Sequence, residues 1–218
     1  SDSIYKSIME SPWVGLANFQ RLFNSPDFYK VLKNTLILSA YKIVILFPLP
    51  VILAILMNEL RSRMFKRSVQ TFIYLPHFLS WVVVYGIFFT LMNSEGVINT
   101  ALSALGRQKI SFFMDQSIFR GLLIFTEGWK ETGWNTVVNM AAITGIDKSL
   151  YEASELDGAS RYQQMYHVTL PEMLPVIALM LVMRVGKIME AGFEQVLVMY
   201  NPTVYEVADI IQTYVYRM

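Results

Sequence analysis

The sequence has no cysteine among its 218 residues and only two histidines, His77 and His167. The missing cysteines exclude disulfides, thiolate chemistry and cysteine-ligated metal sites, and two histidines so far apart give no metal-binding pattern. Charged residues make up 16% of the chain, well below the roughly 25% of soluble domains. A net charge of +1 supplies no basic patch for nucleic acid. We therefore expect neither a metal site nor a nucleic-acid partner.

Sequence patterns of catalysis and of nucleotide binding are also missing. The chain contains no G-x-x-x-x-G-K-[ST] P-loop, so we expect no ATPase site and no cofactor of its own. Its hydrophobic segments contain no Ser/His/Asp set, no Asp pair and no H-E-x-x-H, which disfavours an intramembrane enzyme. The sequence thus indicates a protein that is not an enzyme.

What the chain does contain is apolar sequence. Hydrophobic residues make up 54% of it, and its mean hydropathy is positive. A helix that crosses a bilayer needs about 20 mostly apolar residues. We predict an all-α, polytopic membrane protein in which residues 1–218 form a single transmembrane domain. Four segments meet the length requirement for a span: 35–57, 69–92, 118–143 and 174–199.

The orientation follows from basic residues between the first two predicted spans, namely Arg61, Arg63, Lys66 and Arg67. Short loops rich in Lys and Arg stay in the cytoplasm. Residues 93–116 then lie outside, the loop 147–171 inside, and residues 201–218 outside. The segment 1–33 becomes external and amphipathic, either lying at the membrane interface or packing on the span ends. Its large apolar side chains include Trp13, Phe19, Leu22 and Phe23.

The polar loop 147–171 carries a dense set of helix signals. Capping patterns of the form S/T-x-x-E/Q begin at Ser149, Ser160 and Thr169. Gly158 can take the left-handed dihedrals that end a helix, and Pro171 fits a first helical turn, where its missing N–H is not needed. The pattern predicts a short helix, a glycine corner, a second short helix and a capped membrane helix.

The same loop resembles the E-A-A loop of ABC importer membrane subunits, which in that family forms coupling helices seated in a cleft on an ATPase subunit. Here the pattern reads EAS at 152–154, DGA at 157–159 and VTLP at 168–171. The alternatives are an ordinary helical hairpin for the loop and a purely capping role for Glu152. The resemblance implies these ATPase-coupling residues: Glu152, Ala153, Ser154, Asp157, Gly158, Ala159, Tyr162, Met165, Leu170 and Pro171.

Other stretches are similar to carbohydrate-uptake permeases of this superfamily, closest to the branch that imports oligosaccharides and polysaccharide fragments. They are residues 13–19, 34–35, 74–76, 128–130, 133–134 and 208–217. The resemblance implies a type I permease-like helical bundle in the bacterial cytoplasmic (inner) membrane. Such permeases usually have six spans, so we expect one more span before Ser1 and one after Met218.

The resemblance also implies partners: a second homologous permease, two ATPase subunits that bind ATP and Mg, and an external solute-binding protein. ATP-driven closure of the ATPases would move the loop and rock the spans between outward-open and inward-open states. The alternative is an ABC importer for a non-sugar solute such as an amino acid, phosphate or metal. The Gly-Trp pairs and the TYVYR sequence favour carbohydrate. A channel or a structural scaffold would have no use for a coupling loop.

Polar and indole side chains within the last two predicted spans form a candidate substrate pathway: Trp129, Lys130, Trp134, Asn135, Arg184, Lys187, Glu190 and Glu194. Charge inside a membrane normally faces a partner or a wet cavity. Indole faces suit sugar rings, and amide and charged groups suit hydroxyls. A salt-bridge network that locks the spans together is the alternative.

Charge spacing gives more specific expectations. Glu127 is expected to pair with Lys130, and the charges from Arg184 to Glu194 are expected to pair along one side of a helix. Arg184 and Lys187 suggest an acidic sugar such as a uronate oligomer, for example an alginate or pectin fragment, unless Glu190 and Glu194 neutralise them. Structural roles are expected for Lys42 and His77.

Overall fold

The computed structural model describes residues 15–217, and the regular elements within that range are all helical. The α-helices are α1 (Ala17–Phe23), α2 (Pro26–Tyr41), α3 (Pro48–Asn58), α4 (Arg63–Tyr74), α5 (Trp81–Met92), α6 (Val97–Ala104), α7 (Gln116–Thr144), α8 (Lys148–Leu156), α9 (Arg161–Gln164), α10 (Leu170–Gly186), α11 (Phe193–Met199), α12 (Tyr205–Ala208) and α13 (Ile211–Arg217). Wide π-helical turns at Lys42–Leu46 and Met165–Thr169 join α2 to α3 and α9 to α10.

Some of the helical stretches suit a bilayer by length and composition. They are Pro26–Asn58, Trp81–Ala104 and Arg161–Gly186. Helix α7 is also long, with 29 residues, but it carries Glu127, Lys130 and Glu131 near its middle. The fold is therefore the expected polytopic helical bundle. The number and the direction of the crossings stay predictions.

The predicted span 69–92 is wrong as a single helix. Helix α4 ends at Tyr74, and a 3₁₀ turn containing Pro76 follows it. Because proline lacks a backbone N–H and its ring collides with the preceding helical turn, an α-helix does not run through this point unbroken. A new helix, α5, then begins with the Ser80 side chain accepting a hydrogen bond from Val83 N at 3.3 Å.

The predicted span 174–199 is also divided. Helix α10 ends at Gly186, residues 187–192 form an irregular segment that we call the break, and α11 follows. Ala191 and Gly192 have positive φ angles of 47° and 81°. The i, i+3 and i+4 spacing holds only along a continuous helix. The predicted pairing among Arg184, Lys187, Glu190 and Glu194 is accordingly wrong, since no ion pair joins them within residues 15–217.

The predicted amphipathic segment 1–33 is only partly described. Residues 1–14, Trp13 among them, lie outside the described residues. Helix α1 exposes Phe19 and Phe23, as an interfacial helix would. Residues 26–33 belong to α2 instead and continue into the first apolar helical stretch.

Helix α7 is the centre of the bundle and contacts α3, α4, α10 and α12. Its first half joins the main hydrophobic core through Phe119, Leu122 and Leu123. Its last turn joins a smaller core, in which Ile143 packs with Ala54 and Met173. Between the two cores, α7 buries polar side chains: Thr126, Glu127, Lys130, Thr136 and Asn139. Helix α7 therefore carries a polar layer, which includes the candidate pathway residue Lys130, between two apolar layers.

Helix α4 crosses α7 at Gly133. A methyl group added there would lie 1.8 Å from the carbonyl oxygen of Ile73, so the backbones meet directly. We expect Gly133→Ala to lower the free energy of unfolding by about 1–3 kcal/mol through overpacking. Gly121→Ala, on the same helix with no atom within 4 Å of the added carbon, is the matched control. Equal thermal unfolding temperatures of the two variants in detergent would rule out this close crossing.

Candidate functional site

The loop 147–171 has the predicted order of elements: α8, a corner at Gly158, α9 and then α10. Gly158 has a φ of 76°, and its N–H donates to the carbonyl of Glu155 at 3.0 Å. The capping box at Ser160 is confirmed: its N–H donates to Gln163 Oε1 at 2.8 Å, and its hydroxyl accepts from Gln163 N at 3.4 Å. These local predictions hold because each depends on residues a few positions apart.

The other two predicted caps are wrong. Helix α8 is capped by Asp147, whose Oδ1 accepts from Ser149 N at 2.9 Å. This backbone hydrogen bond, with help from the Ser149 hydroxyl, holds the pKa of Asp147 below its ordinary value. Glu152 takes no part in the cap, so its purely capping role is also wrong. Thr169 lies inside a π-helical turn, and its hydroxyl is 2.9 Å from the Tyr151 hydroxyl.

That Tyr151–Thr169 hydrogen bond ties α8 to the base of α10. From Arg161 to Gly186 the chain then follows one helical path of 26 residues, which spans about 39 Å at 1.5 Å per residue. The loop is thus joined by continuous helical backbone to Arg184, near the far end of this path.

The loop exposes much of its surface. Six of the ten predicted coupling residues are exposed: Glu152, Ala153, Asp157, Gly158, Tyr162 and Pro171. The other four are half-buried: Ser154, Ala159, Met165 and Leu170. The sequence reasoning missed Leu156, which is 90% exposed at the end of α8. Tyr162 and Tyr166 are exposed as well, so the loop carries three large apolar side chains that are open to solvent.

Two cavities adjoin in the polar layer of the bundle, one of about 190 Å³ and one of about 370 Å³. The two cavities share four charged lining residues, Glu127, Glu131, Arg184 and Lys187, and the smaller one is also lined by Lys42 and Glu190. The larger cavity also has apolar walls from α3, α7 and α10, among them Phe47, Leu179 and Met183. Its volume falls in the range of about 300–1,000 Å³ that is usual for small-molecule sites.

Glu127 is the electrostatic centre of this region and is itself buried. It forms ion pairs with Lys42 and with Arg184, whose Nη2 lies 2.6 Å from Glu127 Oε1. The predicted pairing of Glu127 with Lys130 is therefore wrong. Lys130 donates instead to Glu131 Oε1 at 2.9 Å and to the His77 carbonyl at 2.7 Å.

Lys42 holds the break between α10 and α11. Its Nζ donates to the Ala191 carbonyl at 2.8 Å and to Gln195 Oε1 at 2.7 Å, and the Ser39 hydroxyl donates to the Ile188 carbonyl. These bonds satisfy carbonyls that a continuous helix would have satisfied internally. The break can therefore present Lys187 to the cavities.

The predicted pathway residues separate into two groups. Arg184 and Lys187 line both cavities, Asn135 lines the larger one and Glu190 the smaller one. The other four do not line them: Trp129, Lys130, Trp134 and Glu194. Trp129 packs edge-to-face on Phe88, and Trp134 stacks on His77 with a centroid distance of 4.6 Å.

As pathway candidates, the sequence reasoning missed several polar or indole residues that line the cavities: Ser39, Lys42, Trp81, Glu127, Glu131 and Thr132. Glu127 and Glu131 had a signal, because they are carboxylates inside an otherwise apolar helix. Trp81 had none, since an indole in an apolar run gives no indication of the direction it faces. His77 bonds Glu131 Oε2 through Nδ1 at 2.7 Å and lines neither cavity, which matches a structural role.

Comparisons with known proteins place the chain in context. A family described as binding-protein-dependent transport system inner membrane component matches residues 47–218. The polygalacturonan/rhamnogalacturonan transport system permease protein YteP of Bacillus subtilis (strain 168) is 46% identical over 213 residues, covering 97% of this chain and 66% of YteP. Protein LplB of the same organism is 43% identical over 217 residues, and the match covers 99% of this chain and 68% of LplB. The chain thus spans about two-thirds of the length of these relatives.

Solved structures give the same picture at the level of the fold. A bacterial ABC transporter involved in the import of the acidic polysaccharide alginate contains a chain that is similar at a TM-score of 0.92 with 42% identity, covering 98% of this chain and 77% of that one. A second structure, a bacterial alginate ABC transporter in complex with alginate pentasaccharide-bound periplasmic protein, contains a chain that matches with a TM-score of 0.90 and 43% identity. The match covers 94% of this chain and 72% of that one.

Proposed function

Because the chain belongs to the family of binding-protein-dependent transport system inner membrane components, we propose that it is a permease subunit of an ATP-driven oligosaccharide importer. The observation that carries the proposal is the helical path from the loop 147–171 to the cavities. Movement at the loop shifts α10 as a unit. Arg184 then moves relative to Glu127 on α7, which changes the shape of both cavities.

The partners follow from the surface of the loop. An ATPase subunit covers the exposed apolar side chains of Leu156, Tyr162 and Tyr166, while Glu152 and Asp157 lie at the edge of the contact. Two ATPase subunits bind ATP and Mg, and a second, homologous permease completes the membrane part. An external solute-binding protein delivers the sugar, a role supported by the periplasmic protein bound to the similar alginate transporter.

The cargo is an oligosaccharide. The larger cavity combines apolar walls, which suit the C–H faces of sugar rings, with the Asn135 amide and charged groups that bond hydroxyls. The Trp81 indole on the smaller cavity offers a further flat apolar surface. The names of YteP and of the alginate importer support a substrate of this class.

Co-purification tests the ATPase contact. In the full-length protein expressed with its partner subunits, Leu156→Arg is expected to reduce recovery of the ATPase subunit at least about tenfold, because it places an unpaired charge in an apolar contact. Leu105→Arg is the matched control, since Leu105 is 78% exposed in the segment predicted to face outward. Sugar-loaded binding protein should stimulate ATP hydrolysis by the wild type and by the control. Full recovery of the ATPase with Leu156→Arg would refute the proposed contact.

A further inference from the structure

The larger cavity contains a positive charge that is not compensated within residues 15–217. Of its four charged residues, Glu127 pairs with two cations, Arg184 pairs with Glu127, and Glu131 pairs with Lys130. Lys187 has no carboxylate oxygen within 4.0 Å among the described residues. The sequence left open whether Glu190 and Glu194 neutralise Arg184 and Lys187. Among the described residues, no ion pair joins them.

The two cations on Glu127 are held very differently. The Lys42 side chain is 2% exposed and is fixed by Ala191 and Gln195 in addition to Glu127. The Arg184 side chain is 40% exposed and lies at the junction of the two cavities, with Glu127 as its ion-pair partner. If Arg184 turns away, Glu127 keeps Lys42 and is not left as a buried, unpaired charge. Arg184 is therefore able to change partner, whereas Lys42 is not.

We propose that Arg184 and Lys187 form a binding site for the carboxylate of a uronate unit, and that Arg184 exchanges its bond to Glu127 for a bond to that carboxylate. The inference rests on the proposed function and narrows its substrate class to acidic oligosaccharides. The planar guanidinium of Arg184 can bind a carboxylate through two parallel hydrogen bonds, in the bidentate geometry, and the Lys187 ammonium adds a second positive charge.

The proposed carboxylate site lies in the larger cavity. Glu190 lines only the smaller cavity, where it repels a second carboxylate. In the larger cavity the carboxylates of the protein are already paired, and the apolar walls lower the local dielectric and strengthen the attraction to Lys187. A neutral sugar gains only a hydrogen bond from Lys187, whereas a uronate also gains the attraction between opposite charges, so the site discriminates by charge.

Uptake by the complete transporter in proteoliposomes, with its binding protein, tests the site. The probes are trigalacturonate and its methyl ester, which has the same rings without the charges. Lys187→Gln is expected to raise the KM for trigalacturonate at least about tenfold and to change the KM for the ester far less, because the glutamine amide can still bond hydroxyls but carries no charge. Lys109→Gln, an exposed lysine outside both cavities, is the control. The Lys187 variant loses no ion pair seen in the described residues, so it should fold.

Arg184→Gln tests the exchange itself. It should also raise the KM for trigalacturonate at least about tenfold, while its thermal unfolding temperature stays near that of the wild type because Lys42 still compensates Glu127. Unfolding as early as that of Lys42→Met would make Arg184 a fixed structural partner and overturn the exchange. Wild-type uptake of the ester alone would overturn the carboxylate site but leave the importer standing. Uptake of neither probe, with no stimulation of ATP hydrolysis by any oligosaccharide, would refute the proposed function as well.

Discussion

Replacing Gly158 with proline is expected to abolish ATP-driven uptake while the protein still folds and enters the membrane. Gly158 has a φ of 76°, and proline fixes φ near −65°. Proline also removes the N–H that donates to the carbonyl of Glu155 at 3.0 Å. The corner between α8 and α9 must therefore take another direction, and the exposed coupling surface loses its shape. Because such a misfit costs about 3 kcal/mol or more, we expect uptake to fall at least about 100-fold.

The chain offers a closely matched control in Gly106→Pro. Gly106 has a φ of 70°, and its N–H donates to the carbonyl of Ser103 at 3.0 Å. At both glycines the space for an added carbon is empty within 4 Å. Gly106 follows α6, in the segment predicted to face outward, so its variant has the same local strain but no contact with the ATPase. Equal uptake by the two variants in proteoliposomes would show that the corner at Gly158 has no special role in coupling.

Replacing Lys42 with methionine is expected to produce the largest loss of stability in the molecule. The substitution removes the fixed counter-ion of Glu127 and leaves Gln195 Oε1 and the Ala191 carbonyl without their donor. Removal of one partner from a buried ion pair costs about 3–5 kcal/mol when the other charge is left buried and unpaired, and the 40% exposed Arg184 side chain compensates Glu127 only in part. We therefore expect a clear fall in the thermal unfolding temperature in detergent and a loosened break between α10 and α11.

Lys30→Met is the control for an exposed ion pair. Lys30 Nζ lies 2.7 Å from Glu206 Oε2, but the two side chains are 37% and 60% exposed. Solvent screens such a pair, and its loss costs at most about 1 kcal/mol. We expect Lys30→Met to unfold at nearly the same temperature as the wild type and Lys42→Met to unfold at a clearly lower temperature. Similar unfolding of the two lysine variants would mean that burial adds nothing to the interaction of Lys42 with Glu127.

Local sequence signals predicted the parts of this structure that depend on near neighbours. The corner at Gly158 and the capping box at Ser160 are set by a few consecutive residues, and both are present. The cap predicted at Ser149 is wrong because the helix begins earlier, at Lys148, and the Asp147 carboxylate accepts the hydrogen bond from Ser149 N. The cap predicted at Thr169 failed for a different reason. Its hydroxyl bonds Tyr151, a partner that only the folded loop brings close.

The cavity depends on contacts that hydropathy does not encode. The apolar run 174–199 reads as one helix, but polar groups from Ser39 and Lys42 stabilise a break within it. Glu127 forms ion pairs with Arg184 on α10 and with Lys42 on the π-helical turn after α2, and not with a residue one turn away on its own helix. The sequence singled out ionisable residues in the membrane region, but its pathway set left out Glu127 and Glu131, which line both cavities. Which of these residues face the cavities depends on how the helices are rotated and packed.

Accumulation of radiolabelled oligogalacturonate by sealed proteoliposomes tests the central claim most directly. The vesicles would contain the full-length protein with its partner permease and ATPase subunits, with binding protein on the outside and ATP enclosed within. The account predicts accumulation against a gradient that requires both ATP and the binding protein and is lost with Gly158→Pro. Equilibration of the sugar without ATP, or accumulation by Gly158→Pro at the wild-type rate, would contradict it.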